Sequence, residues 1–74
     1  MHEPQRLVVD PDRLRLARLK RRFRQRDIAS RLGIAPQRVS DFEQGLRHPD
    51  QEQSAILSQL LGSDIYVTSE ELSR

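Results

Sequence analysis

The chemistry available to this 74-residue chain is mostly that of charge: thirteen Lys and Arg residues stand against eleven Asp and Glu. Nine of the cations fall between Arg13 and Arg31, a stretch with one acid, Asp27. From Asp50 to Arg74 the balance reverses to five acids and one base. A net charge of +2 hides this division. A concentrated cationic stretch suits a polyanion, although alone it also reads as a solvated helix face.

Residue types for bond-making are scarce. The chain has no Cys, hence no thiol nucleophile, thiolate metal site or disulfide, which fits a reducing cytoplasm. His2 and His48 stand in a terminal stretch and a loop-like stretch. No HExxH, glycine-rich phosphate loop or Ser/His/Asp set accompanies them. Glu70 and Glu71 are adjacent carboxylates in a tail without a pocket. The sequence therefore predicts no enzyme, no cofactor and no metal site. No apolar run reaches the roughly 18 residues of a membrane span, and MHEPQR has no signal-peptide core. A cytoplasmic protein that does not engage membranes is the expectation.

The elements that position the charges can be read from spacing. In Gln25 to Gly45, Ile28, Ala29 and Leu32 form one helical stripe, and Val39 and Phe42 a second. Gly33 marks the stop of the first helix, Ile34 plugs the angle, and Pro36 suits the first turn of the next. Ala29 supplies the small side chain that a tight crossing needs. These are the parts of a helix-turn-helix, with helices expected at about 25–32 and 36–43. Before them, Asp10 caps a helix opened by Pro11 and running to Arg22, with Leu14, Ala17 and Leu19 inward and Phe23 closing the seam. After them, Gly45 ends the third helix and Asp50 caps one from 51 to 61, with Gln53 completing a capping box and Gly62 as the stop. Arg6–Val9 and Ile65–Thr68 are β-prone and are expected to pair, within one chain or between two copies; the alternative is that both ends are disordered. Ser69–Arg74 reads as frayed or weakly helical. The chain divides into an arm (1–10), a helical domain (11–62) and a tail (63–74). Its core is small, since a domain of this size buries only about 60–65% of its unfolded surface.

The spacing of Gln25, Ile28, Ala29, Leu32, Gly33, Ile34, Val39, Phe42, Glu43 and Gly45, with Pro49 beyond, resembles the phage-repressor/Cro-like (Xre) family of helix-turn-helix DNA-binding proteins. That resemblance covers about Leu14 to Gly62. It implies an all-α, five-helix domain whose third helix enters the major groove of DNA. A short fourth helix before Gln51, or merged with the helix there, is compatible with it.

The resemblance also implies roles for individual positions. Gln25 matches a residue that contacts phosphate and braces the next helix, with Arg24 and Arg26 flanking it. Arg47 and His48 lie in a second phosphate approach after the third helix, and Ser40 is assigned to the DNA backbone. Gln37 falls on a base-reading position, where its amide can pair bidentately with adenine. Arg38 can reach guanine or a phosphate. Asp41 can accept from cytosine N4 or hold Arg38 in place. Arg18 and Glu43 match a partly buried ion pair that fixes the recognition helix. Four positions depart from the pattern: Arg22 stands where Gly is common, Arg24 and Ala35 stand where Ser or Thr would cap, and Pro36 replaces a polar base contact. The reading that follows is a dimeric, sequence-specific transcriptional repressor on an inverted repeat. Its rival is an antitoxin-like module that neutralises a toxin partner through its tail, an analogy resting on the C-terminal strand.

Overall fold

The computed structural model describes residues 6–72, so residues 1–5 of the arm, His2 among them, and residues 73–74 of the tail lie outside it. Its elements run β1 (Leu7–Val9), α1 (Pro11–Lys20), α2 (Gln25–Leu32), α3 (Pro36–Gln44), α4 (Gln51–Leu61), a 3-10 turn (Ser63–Ile65), β2 (Tyr66–Thr68) and α5 (Ser69–Leu72). The expected all-α, five-helix class is met with one addition. The terminal β-prone runs form a two-stranded antiparallel sheet within the chain, pairing Leu7 with Thr68, Val8 with Val67 and Val9 with Tyr66. The fifth helix is the four-residue α5 in the tail, and residues 46–50 form a loop with no separate short helix.

The first three helices end in the same way, with a left-handed residue followed by a backward hydrogen bond. Arg22, Gly33 and Gly45 have φ of 60°, 69° and 75°. The next N–H in each case donates to a carbonyl inside the helix: Phe23 to Arg18, Ile34 to Ala29 and Leu46 to Asp41, at 2.9–3.1 Å. These are Schellman closures, which satisfy the orphan carbonyls of a helix end. Helix α1 accordingly stops at Lys20, two residues short of the expected Arg22, because the closure needs Arg22 outside the helix. Gly62 differs. Its φ of 87° and ψ of 170° lie outside the left-handed well, in a region that essentially only glycine visits. A side chain there would also meet the Arg21 guanidinium at 3.3 Å.

The core is aliphatic, built from Val9, Leu14, Ala17, Ile28, Ala29, Val39, Phe42, Leu57, Leu61 and Ile65. Phe23, Leu32, Ile34, Leu60 and Tyr66 pack around it. Ala29 is 1% exposed, as a close crossing of α2 and α3 requires. Leu19, expected inward, is 49% exposed. Leu14 and Ala17 already fill the inner face of α1, and Leu19 stands five positions after Leu14, well round the helix from it. Ile65 and Val67, which the sequence places in the tail, are buried. The Tyr66 hydroxyl donates to the Ser54 carbonyl at 3.0 Å, fastening the ribbon to α4. Asp50 and Gln53 form the expected capping box at the start of α4, at 2.8 and 2.9 Å.

Candidate nucleic-acid interface

One carboxylate sets the position of α3. Glu43, near the end of that helix, accepts from Arg18 Nε at 2.6 Å and Nη2 at 3.1 Å, and from Gln25 Nε2 at 3.2 Å. Arg18 Nη1 donates in addition to the Phe23 carbonyl at 2.8 Å. Arg18 and Glu43 are buried, with side chains 10% and 4% exposed. Among the described residues no buried side-chain N or O atom lacks a hydrogen-bond partner. The expected ion pair is therefore present and is a junction of three helices: α1 supplies the cation, α3 the anion and α2 the amide. A forked guanidinium–carboxylate pair fixes angle as well as distance.

With α3 held by Val39, Phe42 and Glu43, its opposite side faces solvent. Gln37, Ser40, Asp41 and Gln44 follow one another at helical spacing, a continuous polar stripe. The stripe is internally braced. Gln37 Nε2 donates to Asp41 Oδ1 at 3.1 Å, and Gln44 Nε2 donates to Ser40 Oγ at 2.8 Å. Asp41 Oδ2 lies 3.6 Å from Arg47 Nε. The carboxylate that sequence reading set against Arg38 is thus engaged by Gln37 and Arg47 instead, since both lie nearer its side of the helix and loop. Arg38 is exposed. Gln44 was not singled out from the sequence, although its place one heptad after Gln37 puts it on the same face.

Around the stripe stand the other cations. Arg24 and Arg26 are exposed at the start of α2, with Gln25 half-buried between them; Arg47 and His48 are exposed in the loop after α3. Neither α2 nor α3 has a side-chain cap on its first amides. At α2, Asp27 accepts from the Arg24 backbone N–H at 2.8 Å, but an Arg side chain has no acceptor to return. At α2 the first two amides, of Gln25 and Arg26, are left for water or for an anion, the arrangement that binds phosphate at helix N-termini. At α3 Pro36 has no N–H and the Arg38 N–H donates to the Ala35 carbonyl at 2.9 Å, which leaves the Gln37 amide.

A small-residue crossing of α2 and α3 and a third helix fixed from behind by a buried ion pair together form a helix-turn-helix. The helix-turn-helix family model matches residues 14–67. The chain belongs to the Xre/Cro-like helix-turn-helix family. No curated protein and no solved structure shows significant similarity to it. The family is one of DNA-binding regulators rather than of enzymes, and the helix-turn-helix domain is a DNA-binding one. No helix among the described residues is long and apolar enough to cross a membrane.

Proposed function

We propose that the protein is a dimeric, sequence-specific transcriptional repressor that places α3 in the major groove of an inverted-repeat operator. The observation that carries the reading is the braced polar stripe on α3, flanked on both sides by phosphate-seeking groups. Gln37 has two N–H donors and gives one to Asp41. Its second N–H and its carbonyl oxygen remain for the bidentate pairing that recognises adenine. Asp41 serves first as the post that holds Gln37 and Arg47, and its remaining lone pairs can accept from cytosine N4. Arg38 reaches a guanine or a phosphate beside them. Arg24, Gln25, Arg26, Ser40, Arg47 and His48 meet the sugar–phosphate backbone, with Gln25 reaching outward from its bond to Glu43.

Two copies would set their α3 helices about 34 Å apart, one turn of DNA. The surface that suits this pairing lies beside the ribbon. Leu7 is 66% exposed there, at the edge of a shallow groove shared with Pro11, Pro49, Ala55 and Leu72. Occupancy of a promoter in the cytoplasm would then exclude polymerase. A toxin-neutralising role through the tail has less support, because Ile65 and Val67 of that segment are in use inside the protein's own fold.

Selection of duplexes from a random DNA pool at roughly physiological salt tests the proposal. An enriched inverted repeat with half-sites about one helical turn apart is the expected result. Salt-sensitive binding to every duplex, with no enrichment, would remove Gln37 and Asp41 from the reading surface.

A further inference from the structure

The face of α1 turned away from the reading helix has a character that DNA does not explain. Arg18 points at Glu43 of α3. Leu16 and Lys20 each stand two positions from Arg18, about 200° round the helix, and Arg13 falls in the same row. Arg13, Leu16, Ala17, Lys20 and Arg21 line a shallow groove along α1, closed on its far side by Asp64 of the 3-10 turn. Arg13 Nη1 donates to the Asp64 backbone carbonyl at 3.4 Å, which fixes one end of that wall. Leu16 is 63% exposed, and Leu19, three residues on, is 49% exposed. No carboxylate among the described residues lies within ion-pair distance of Arg13, Arg15, Lys20 or Arg21.

We infer that this face is a docking surface for an acidic amphipathic segment of another protein. Charge complementarity selects the occupant: the rim is cationic at both ends and at the flank, and Asp64 is the one acid in the lining. The exposed Leu16 on the groove, with Leu19 beside it on the helix, separates this occupant from nucleic acid, since a phosphate backbone gains nothing from exposed leucines. A helix or turn carrying acids beside Leu or Phe satisfies both demands at once, with apolar anchors on Leu16, Ala17 and Leu19 and carboxylates on Arg13, Lys20 and Arg21. Because α1 presents this face on the side opposite α3, the segment and DNA are held together rather than in competition. The surface thus joins an operator-bound protein to a second protein.

The probe is a synthetic peptide of about 14 residues with Glu and Leu at helical spacing, titrated into the isotope-labelled full chain. One control replaces each Leu by Ser, and another replaces each Glu by Lys. Saturable amide shifts confined to Arg13–Arg22 and Asp64 are expected, with neither control binding. Leu16→Ser should weaken the peptide about tenfold, since it removes one apolar anchor. The same variant should keep its affinity for the selected duplex, and the duplex complex should bind the peptide as the free protein does. The inference is overturned if the Leu-free peptide binds equally well, if the shifts centre on α3, if DNA displaces the peptide, or if no peptide binds. It is also overturned if Leu16→Ser abolishes self-association, which would make the face a contact between copies. Binding to phosphatidylserine vesicles but not to peptide would assign it to a lipid surface instead.

Discussion

At the scale of single residues, the protein separates holding from reading. Glu43 accepts three hydrogen bonds from two helices and is itself buried. Removing Arg18 as Ala leaves that carboxylate buried without its cation, which typically costs about 3–5 kcal/mol. For a domain of this size the midpoint of thermal unfolding should fall by 12 °C or more, on the rule of about 4–8 °C per kcal/mol. Arg18→Met combined with Glu43→Leu should cost less than either single change, because no charge is stranded. Calorimetry on Arg18→Ala, the two single changes and the double variant checks both statements. Gln37 is the opposite case, exposed and tied only to Asp41. Gln37→Ala should leave stability near wild type and cost about 1–3 kcal/mol on the selected duplex, with little change on random DNA. Equal loss on both duplexes in a competition assay would assign Gln37 to the backbone. The pair Arg18–Glu43 was legible in the sequence because both positions fit a family pattern. The Gln37–Asp41 and Asp41–Arg47 contacts were not, since spacing brings side chains within reach without saying which of several neighbours is taken.

Among the elements, helix ends record a trade between stability and binding. Every helix of the domain was legible, because apolar spacing and the stops at Gly33, Gly45 and Gly62 agree with one another. At α1 the stop is made by Arg22, which stands left-handed at the place where the resemblance puts Gly, although such a residue seldom adopts that conformation; spacing alone ran the helix two residues too far. Arg22→Gly should therefore stabilise the fold by about 1 kcal/mol, seen as a higher urea midpoint at unchanged slope. Ala35→Ser supplies the missing cap on α3 and should add about another 1 kcal/mol. The added hydroxyl also competes for the Gln37 amide, which is otherwise open, so DNA affinity should not rise with stability. Arg24→Ser makes the same exchange at α2 and should reduce the salt dependence of DNA binding by roughly one phosphate contact. A salt slope equal to that of the unchanged protein would take Arg24 out of the phosphate-contacting set.

For the whole molecule, the ribbon decides what the ends of the chain can do. Leu7 shares a face of the ribbon with Val9 but lies at the outer end of β1 and is exposed, while Val9 and, on the other face, Val67 are buried, so the free apolar surface of the ribbon is at its Leu7 end. Leu7→Glu should leave the monomer folded, shift sedimentation to the monomer, and weaken binding to an inverted repeat far more than to a half-site. Pairing of the two strands could be expected from the sequence, because neither run can satisfy its backbone alone. Whether they would find each other in one chain could not be read, since local pattern carries no information on partners so distant. That distance sets an order of events. Helices α1 to α3 meet neighbours close in sequence, whereas β1 must wait for β2 from the other end of the described chain, and such closure costs entropy that early contacts avoid. Val67→Ala should thus speed unfolding and scarcely slow folding, while Val39→Ala slows folding; stopped-flow rates for the two would reveal the reverse order if it holds. During synthesis the reading helix is complete before Ile65 and β2 exist to close the core behind it. A chain interrupted in between carries the polar stripe of α3 but not the closed core that holds it in place, so unfinished copies present the same side chains without their fixed arrangement.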